Sequence, residues 1–297
     1  MSIPHPVARY YDRNTRRFLR FGRIRGGGVI HRALWAPGVT NSGEAGAWIH
    51  GWIGEMLRDH GLATPDVILD MGCGVGGTLV DLARTFPEAE LHGVTISTQQ
   101  VKLARQLVGE QLGPDAARLR IHAGDFDSLD LPIQADAVVA IEAFVHSGDA
   151  GAFFRSVARH LAPGGLMVLV DDFLTAPRTR LTPRQQARVR HFERGWHLGS
   201  LCTVDTLESD AAGAGLELVS GFDFTHWTRP GRPRDRVIAA LSPAFRGLGL
   251  VRVPFFANMI GGDALQDGLR EGFIRYRGLV LRRSWPMTPV TPVTGRR

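Results

Sequence analysis

Val67-Ile68-Leu69-Asp70-Met71-Gly72-Cys73-Gly74-Val75-Gly76-Gly77 is the stretch around which this 297-residue chain is organised. Its aliphatic opening, 67–69, reads as a buried parallel strand that ends in an acid and then in glycines at 72, 74, 76 and 77. Leu79, Val80, Leu82, Ala83 and Phe86 continue it as an apolar helical pattern, which Pro87 closes. A strand, a glycine turn and a helix together present backbone N–H groups to a ligand that must approach very closely. The order D-x-G-x-G-x-G-G differs from the G-x-G-x-x-G fingerprint of dinucleotide sites.

Outward from this turn, strands and helices alternate. Strands are expected at 91–96, 119–122, 137–141 and 166–170, with helices at 77–85, from Ser97 onward, and at 151–161. Ser97 and Gln100 have capping-box spacing, and Ala162-Pro163-Gly164-Gly165 reads as a turn. A helical, arginine-rich insertion over 174–200 follows, then a helix at 204–213 and a strand at 216–222. Residues 226–262 read as irregular, and a helix at 263–276 and a strand at 279–282 close the sheet. The pattern predicts an α/β fold: a Rossmann-like, doubly wound, parallel sheet of seven strands. An N-terminal helical lid over 1–60 precedes a core over 61–173. The rest of the core, 174–285, carries substrate-side insertions, and the Pro/Thr-rich tail 286–297 reads as disordered.

Upstream, Tyr11, Thr15, Phe18 and Leu19 form an apolar stripe beside Arg13, Arg16, Arg17 and Arg20. That segment reads either as a helix packed on the core or as a lid carrying aromatics and arginines to a pocket. IHRALWAPG, 30–38, reads as a loop bordering a site. Trp48, Ile49, Trp52, Ile53, Met56 and Leu57 mark a second amphipathic helix whose stripe belongs to the core.

Composition narrows the function classes. Hydrophobic residues make up 44% and charged residues 22%, as in ordinary globular proteins. No apolar run reaches the roughly 18 residues of a membrane span, and the N-terminus lacks the apolar core of a signal peptide. Cys73 and Cys202 form neither a disulfide framework nor a metal-ligand spacing. A cytoplasmic protein is expected, with a homo-oligomer left open. The net charge is +6 and the sequence pI about 10.2, with Lys102 the single lysine. A genome that writes Arg for Lys explains the ratio, and an anionic partner explains the sign.

With Asp70 ahead of its glycines, the opening stretch resembles motif I of class I S-adenosylmethionine (SAM) dependent methyltransferases. Gly93-Val94-Thr95-Ile96-Ser97-Thr98-Gln99-Gln100 resembles the second strand end of enzymes that methylate alkene carbons. Ala140-Ile141-Glu142-Ala143-Phe144-Val145-His146-Ser147-Gly148-Asp149 resembles the AIEA-x-x-H-x-x-D run of sterol C-24 methyltransferases, and Tyr10-Tyr11-Asp12-x-x-Thr15 their YYD-x-x-T opening. The likeness covers about residues 10–173. It implies that SAM binds along Asp70, Gly72, Gly74, Gly76, Thr95, Ile96, Gln100, Gly124, Asp125, Phe126 and Ile141. It also implies an isoprenoid acceptor, and the arginine content favours a prenyl diphosphate with a companion Mg2+.

Methylation of an alkene leaves a carbocation, which needs aromatic shielding and then loss of a proton. Glu142, ending a buried strand in apolar surroundings, is the expected general base, assisted by His146. Tyr11, Phe18, Phe173 and Trp196 are the expected aromatic faces, and Arg20 and Arg188 are among the arginines for an anionic group. An O- or N-methyltransferase of a natural product would use the same core. A nucleic-acid substrate is disfavoured, since no N-P-P-Y type tetrapeptide follows strand four and no RNA-binding module is appended.

Overall fold

The computed structural model describes residues 30–229 and 253–285, with 238, 240–242 and 245 between them. The expectations for Tyr11, Phe18, Arg20, the helix over 8–25 and the tail over 286–297 lie outside the described residues.

Helix α1 (Ser42–Asp59) begins at Asn41, whose side chain accepts the N–H groups of Gly43 and Glu44. It leads into β1 (Val67–Met71), α2 (Gly77–Thr85), β2 (Glu90–Thr95), α3 (Thr98–Leu112), β3 (Leu119–Ala123) and β4 (Ala135–Ile141). The chain continues through α4 (Ala150–His160), β5 (Leu161–Leu174), α5 (Pro183–Trp196), α6 (Val204–Gly213), β6 (Leu216–Asp223), α7 (Pro254–Glu271) and β7 (Ile274–Arg283). The seven strands form one sheet in the order β3-β2-β1-β4-β5-β7-β6. The first five pair in parallel, while β7 runs antiparallel between β5 and β6. The sheet is therefore mixed rather than wholly parallel. Hydrophobic periodicity, which located the strands, carries no direction.

Alternation along the central strands builds two cores, one on each face of the sheet. Ile68, Val139, Val168 and Val280 join α1 and α7 on one face. Leu69, Val138, Met167 and Leu279 join the phenylalanines of α4 on the other. The stripe of α1 is core as expected, since Ile49, Trp52, Ile53, Met56 and Leu57 are all buried. Each such side chain contributes about 1.5–3 kcal/mol through burial.

Three local readings change. Ala162-Pro163-Gly164-Gly165 is a bulge within β5 rather than a separate turn, because β4–β5 pairing jumps from Ala135–Leu161 to Ala137–Leu166. Helix α7 starts at 254, inside the stretch read as irregular, and ends at 271 where Gly272 adopts φ +77°. Residues 274–276 belong to β7, not to a helix. Ser97 caps α3 through the Gln100 N–H, but no box closes. The Gln100 side chain instead accepts from the Thr95 hydroxyl at 2.5 Å.

Candidate active site

The carboxyl ends of β1, β2 and β4 meet at the glycine turn. Gly72, at φ +100°, lies so close to the turn after β4 that a Cβ there would come within 2.5 Å of Ala143 Cβ. That contact sets the Glu142–His146 segment against the glycines. Gly74 differs: at φ +54° its missing Cβ would meet only Ile30 Cδ1, at 3.6 Å. No backbone crowds the turn at Gly74, and the Ile30 side chain lies over it.

Asp70, one residue before the end of β1, is 2% exposed, and its Oδ2 is buried without a hydrogen-bond partner. Burial pushes its carboxyl up to about 7. An unpartnered buried acid is costly.

At the end of β2, Thr95 and Gln100 are both buried and bonded to each other, whereas Ile96 is partly exposed. At the end of β3, the Gly124 N–H donates to Thr95 O at 3.0 Å, tying the two strand ends together. Asp125 Oδ1 accepts the Asp127 N–H at 3.0 Å. Half-buried Phe126 meets Phe153 edge-to-face at 5.4 Å. Ile141 is buried at the end of β4.

Glu142 adopts φ +49°, a strained backbone for a non-glycine residue. Its surroundings are polar and charged, not the apolar pocket expected from sequence. Oε1 accepts the Arg32 backbone N–H at 2.9 Å and the Tyr276 hydroxyl at 2.9 Å, with Arg32 Nε at 3.3 Å. The Arg32 guanidinium also grips Asp172 through both terminal nitrogens and lies 4.2 Å over the Tyr276 ring. Burial opposes the Arg32 charge, but Asp172 and Glu142 outweigh it and hold the group firmly protonated. Burial raises the Tyr276 hydroxyl well above its usual range, with Glu142 adding to the effect.

His146 ends a one-turn 3-10 helix over Phe144–His146. Its Nδ1 lies 3.4 Å from the carbonyl of His197, the left-handed residue that stops α5. A carbonyl can only accept, so this contact calls for the proton on Nδ1. Burial lowers the pKa to about 4, so the ring is neutral at physiological pH.

Other expected site residues are placed in packing roles. Phe173 is 1% exposed and stacks with Phe144 in the core, so it presents no face to a pocket. Trp196 packs on Phe192 and donates to Asn258 O at 3.2 Å, holding α5 to α7. Arg188 is paired with the buried Asp263 and Asp267 at 3.1 and 2.5 Å, so its charge is already matched.

Sequence reasoning missed Arg32, Asp172 and Tyr276. Arg32 lies in the loop read as bordering a site, and adjacent carboxylates at 171 and 172 closing a buried strand were a usable signal. Nothing local marked Tyr276. Among the described residues, no group of three or more His, Cys, Asp or Glu side chains is placed to hold a metal ion. Nor is any helix among them long and apolar enough to cross a membrane.

A mixed seven-stranded sheet with an acid and a glycine turn at the end of its first strand is an α/β fold of the kind that binds ligands at its strand ends. A family described as a methyltransferase domain matches residues 69–167. An O-methyltransferase of Penicillium expansum, cnsE, is 32% identical over 69% of this chain and 71% of its own length. Ajmaline N-methyltransferase of Rauvolfia serpentina is 24% identical over 94% of this chain and 97% of its own length. Among solved structures, geranyl diphosphate C-methyltransferase of Streptomyces coelicolor, in complex with Mg2+, geranyl diphosphate and S-adenosyl-L-homocysteine, superposes with a TM-score of 0.65. That likeness covers 95% of this chain and 100% of that one at 18% identity, and it is a likeness of fold. The chain belongs to the class I SAM-dependent methyltransferases.

The site fits that cofactor. The orphaned Asp70 oxygen suits a cationic ammonium, and at Gly74 only the tip of Ile30 stands near the backbone a ligand would lie against.

Proposed function

We propose that this enzyme methylates a nitrogen or oxygen atom of a small natural product, with His146 taking the acceptor's proton. The observation that carries the reading is the neutral His146 ring, whose contact with the His197 carbonyl calls for the tautomer whose Nε2 can accept. A neutral, oriented imidazole beside the end of the central strand can accept a proton from a hydroxyl or ammonium acceptor. The O- and N-methyltransferase relatives support the same chemistry.

SAM supplies an electrophilic methyl group on a sulfonium. In this reading Asp70 receives its ammonium, and the backbone of Gly72, Gly74 and Gly76 lies along its amino-acid end. Ile96, with the Thr95–Gln100 pair shaping the turn behind it, borders the ribose. Asp125, Phe126 and Ile141 border the adenine. Glu142 anchors the segment from residue 30 through Arg32 and forms one wall on the acceptor side.

A second reading retains the alkene carbon of a prenyl diphosphate or other isoprenoid, with Glu142 as the base that quenches the cation. The acid at the end of the central strand and the fold shared with geranyl diphosphate C-methyltransferase favour it. Against it, Glu142 Oε1 is already loaded with donors, and Arg188 is neutralised by Asp263 and Asp267. Mg2+ belongs to this reading alone, as a companion of the diphosphate.

Mass spectrometry after incubation with SAM and a panel of amines, phenols, prenyl diphosphates and sterols separates the two readings. Methylated nitrogen or oxygen, lost in His146→Gln while S-adenosylhomocysteine still binds, supports the first. Methylated carbon on a prenyl diphosphate, with His146→Gln active, overturns it.

A further inference from the structure

The charges at the carboxyl ends of β4 and β5 do not cancel. Arg32 spends both terminal guanidinium nitrogens on Asp172 and brings Nε to 3.3 Å from Glu142 Oε1. Two carboxylates therefore share one guanidinium. Among the described residues, the groups neighbouring this cluster add no positive charge. Burial, reinforced by His50, lowers His31 to about 4, and burial lowers His146 to about the same value. Burial drives the Asp171 carboxyl and the Tyr276 hydroxyl toward their neutral forms and also raises the Asp172 carboxyl, where Arg32 opposes it.

Of the two carboxylates, Glu142 is the one more open to a ligand. Asp172 is 2% exposed and gripped by two nitrogens, whereas the Glu142 side chain is 19% exposed. Donors converge on Oε1 of Glu142, and its positive-φ backbone fixes the carboxylate at the end of the strand. A half-open carboxylate in a low-dielectric setting attracts a cation and repels an anion far more strongly than one in water.

We infer that the acceptor is a basic amine, admitted as an ammonium by Glu142 and methylated on nitrogen. The inference rests on the heteroatom methyl transfer proposed above and narrows it. His146 takes the ammonium proton, as in the reading above, and passes it to solvent. The nitrogen lone pair then forms the N–C bond as the C–S bond breaks, and that bonding pair stays on sulfur. Positive charge moves from sulfur to nitrogen, which still faces Glu142. A diphosphate would instead bring its charge against Glu142.

The test uses the full chain with SAM and matched pairs of acceptors: secondary and tertiary aryl-alkyl amines and the corresponding alcohols and phenols. The amines should show at least about tenfold higher kcat/KM than their hydroxyl counterparts, the scale expected for a half-buried charge pair. Glu142→Gln should raise the amine KM by a similar factor while the Kd of S-adenosylhomocysteine, by calorimetry, moves less than about twofold. The wild-type protein gives an independent readout: a quaternary ammonium analogue should inhibit competitively, and its neutral carbon isostere should be much weaker. Preference for hydroxyl acceptors, or equal inhibition by the two analogues, would overturn the amine assignment and leave heteroatom transfer standing. If Glu142→Gln weakens SAM rather than the amine, the charge serves the donor's sulfonium and the assignment also falls. Methylation only at carbon would sink both readings.

Discussion

The Tyr276 hydroxyl, on the antiparallel strand β7, donates to Oε1 of Glu142 at the end of β4, 2.9 Å away and 134 residues distant in sequence. Arg32 reaches the same oxygen from the opposite end of the chain. Three separate segments thus converge on one carboxylate, and its strained backbone is held by that convergence.

Tyr276→Phe keeps the ring under Arg32 and removes the donor. The loss of one hydrogen bond to a charged group should cost about 1.5–3 kcal/mol, read as a lower denaturant midpoint with an unchanged slope. If Tyr276→Phe unfolds at the wild-type midpoint, the hydroxyl contributes no support to Glu142.

Arg32→Ala leaves Asp172 buried and unpaired, a change that typically costs about 3–5 kcal/mol. Pairing it with Asp172→Asn should recover part of that loss, because the orphaned charge is gone. Strictly additive costs in the double variant would show that the two residues do not interact.

Gly74→Val places a branched side chain in the space left for a ligand. It also forces φ +54° on a β-branched residue, which costs roughly 1–2 kcal/mol in stability. Calorimetry should show S-adenosylhomocysteine affinity falling by at least about 100-fold, or 2.7 kcal/mol. Retained affinity in a folded variant would remove Gly74 from the cofactor site.

Asp70 links stability to pH. Its folded pKa is raised by burial from 3.8 to about 7, so the folded protein holds the proton more tightly than the unfolded chain. The contribution is full below about pH 4 and is lost as pH rises toward 7. Asp70→Asn, which cannot ionise, should therefore gain melting temperature relative to wild type at pH 8 and show no such gain at pH 4. A cationic ligand at Asp70 should drive that proton off. S-adenosylhomocysteine binding near pH 6 should accordingly release a proton, visible as a dependence of the binding heat on the buffer. The same melting difference at both pH values would contradict the assignment.

Local pattern determined much of this protein. The run from Val67 to Gly77 specified a strand, a tight turn and a helix, because burial on both faces demands aliphatic residues and positive φ demands glycine. Helices over 77–85 and 204–213 and the strand ends bearing Asp70, Thr95, Asp125 and Glu142 followed from the same periodicity and from familiar motif spacing. What periodicity could not give was direction and partnership. The antiparallel insertion of β7 between β5 and β6, and the helix that begins at 254, depend on packing against distant elements. The electrostatic character of Glu142 was also hidden. Arg32, Asp172 and Tyr276 lie far apart in the chain, and only the folded sheet places them within hydrogen-bond reach. The same closure turned Phe173, Arg188 and Trp196, plausible ligand contacts by composition, into core, ion-pair and helix-packing residues. Type and spacing say what a side chain can do, but the low dielectric and fixed geometry of the folded state decide which partner it meets.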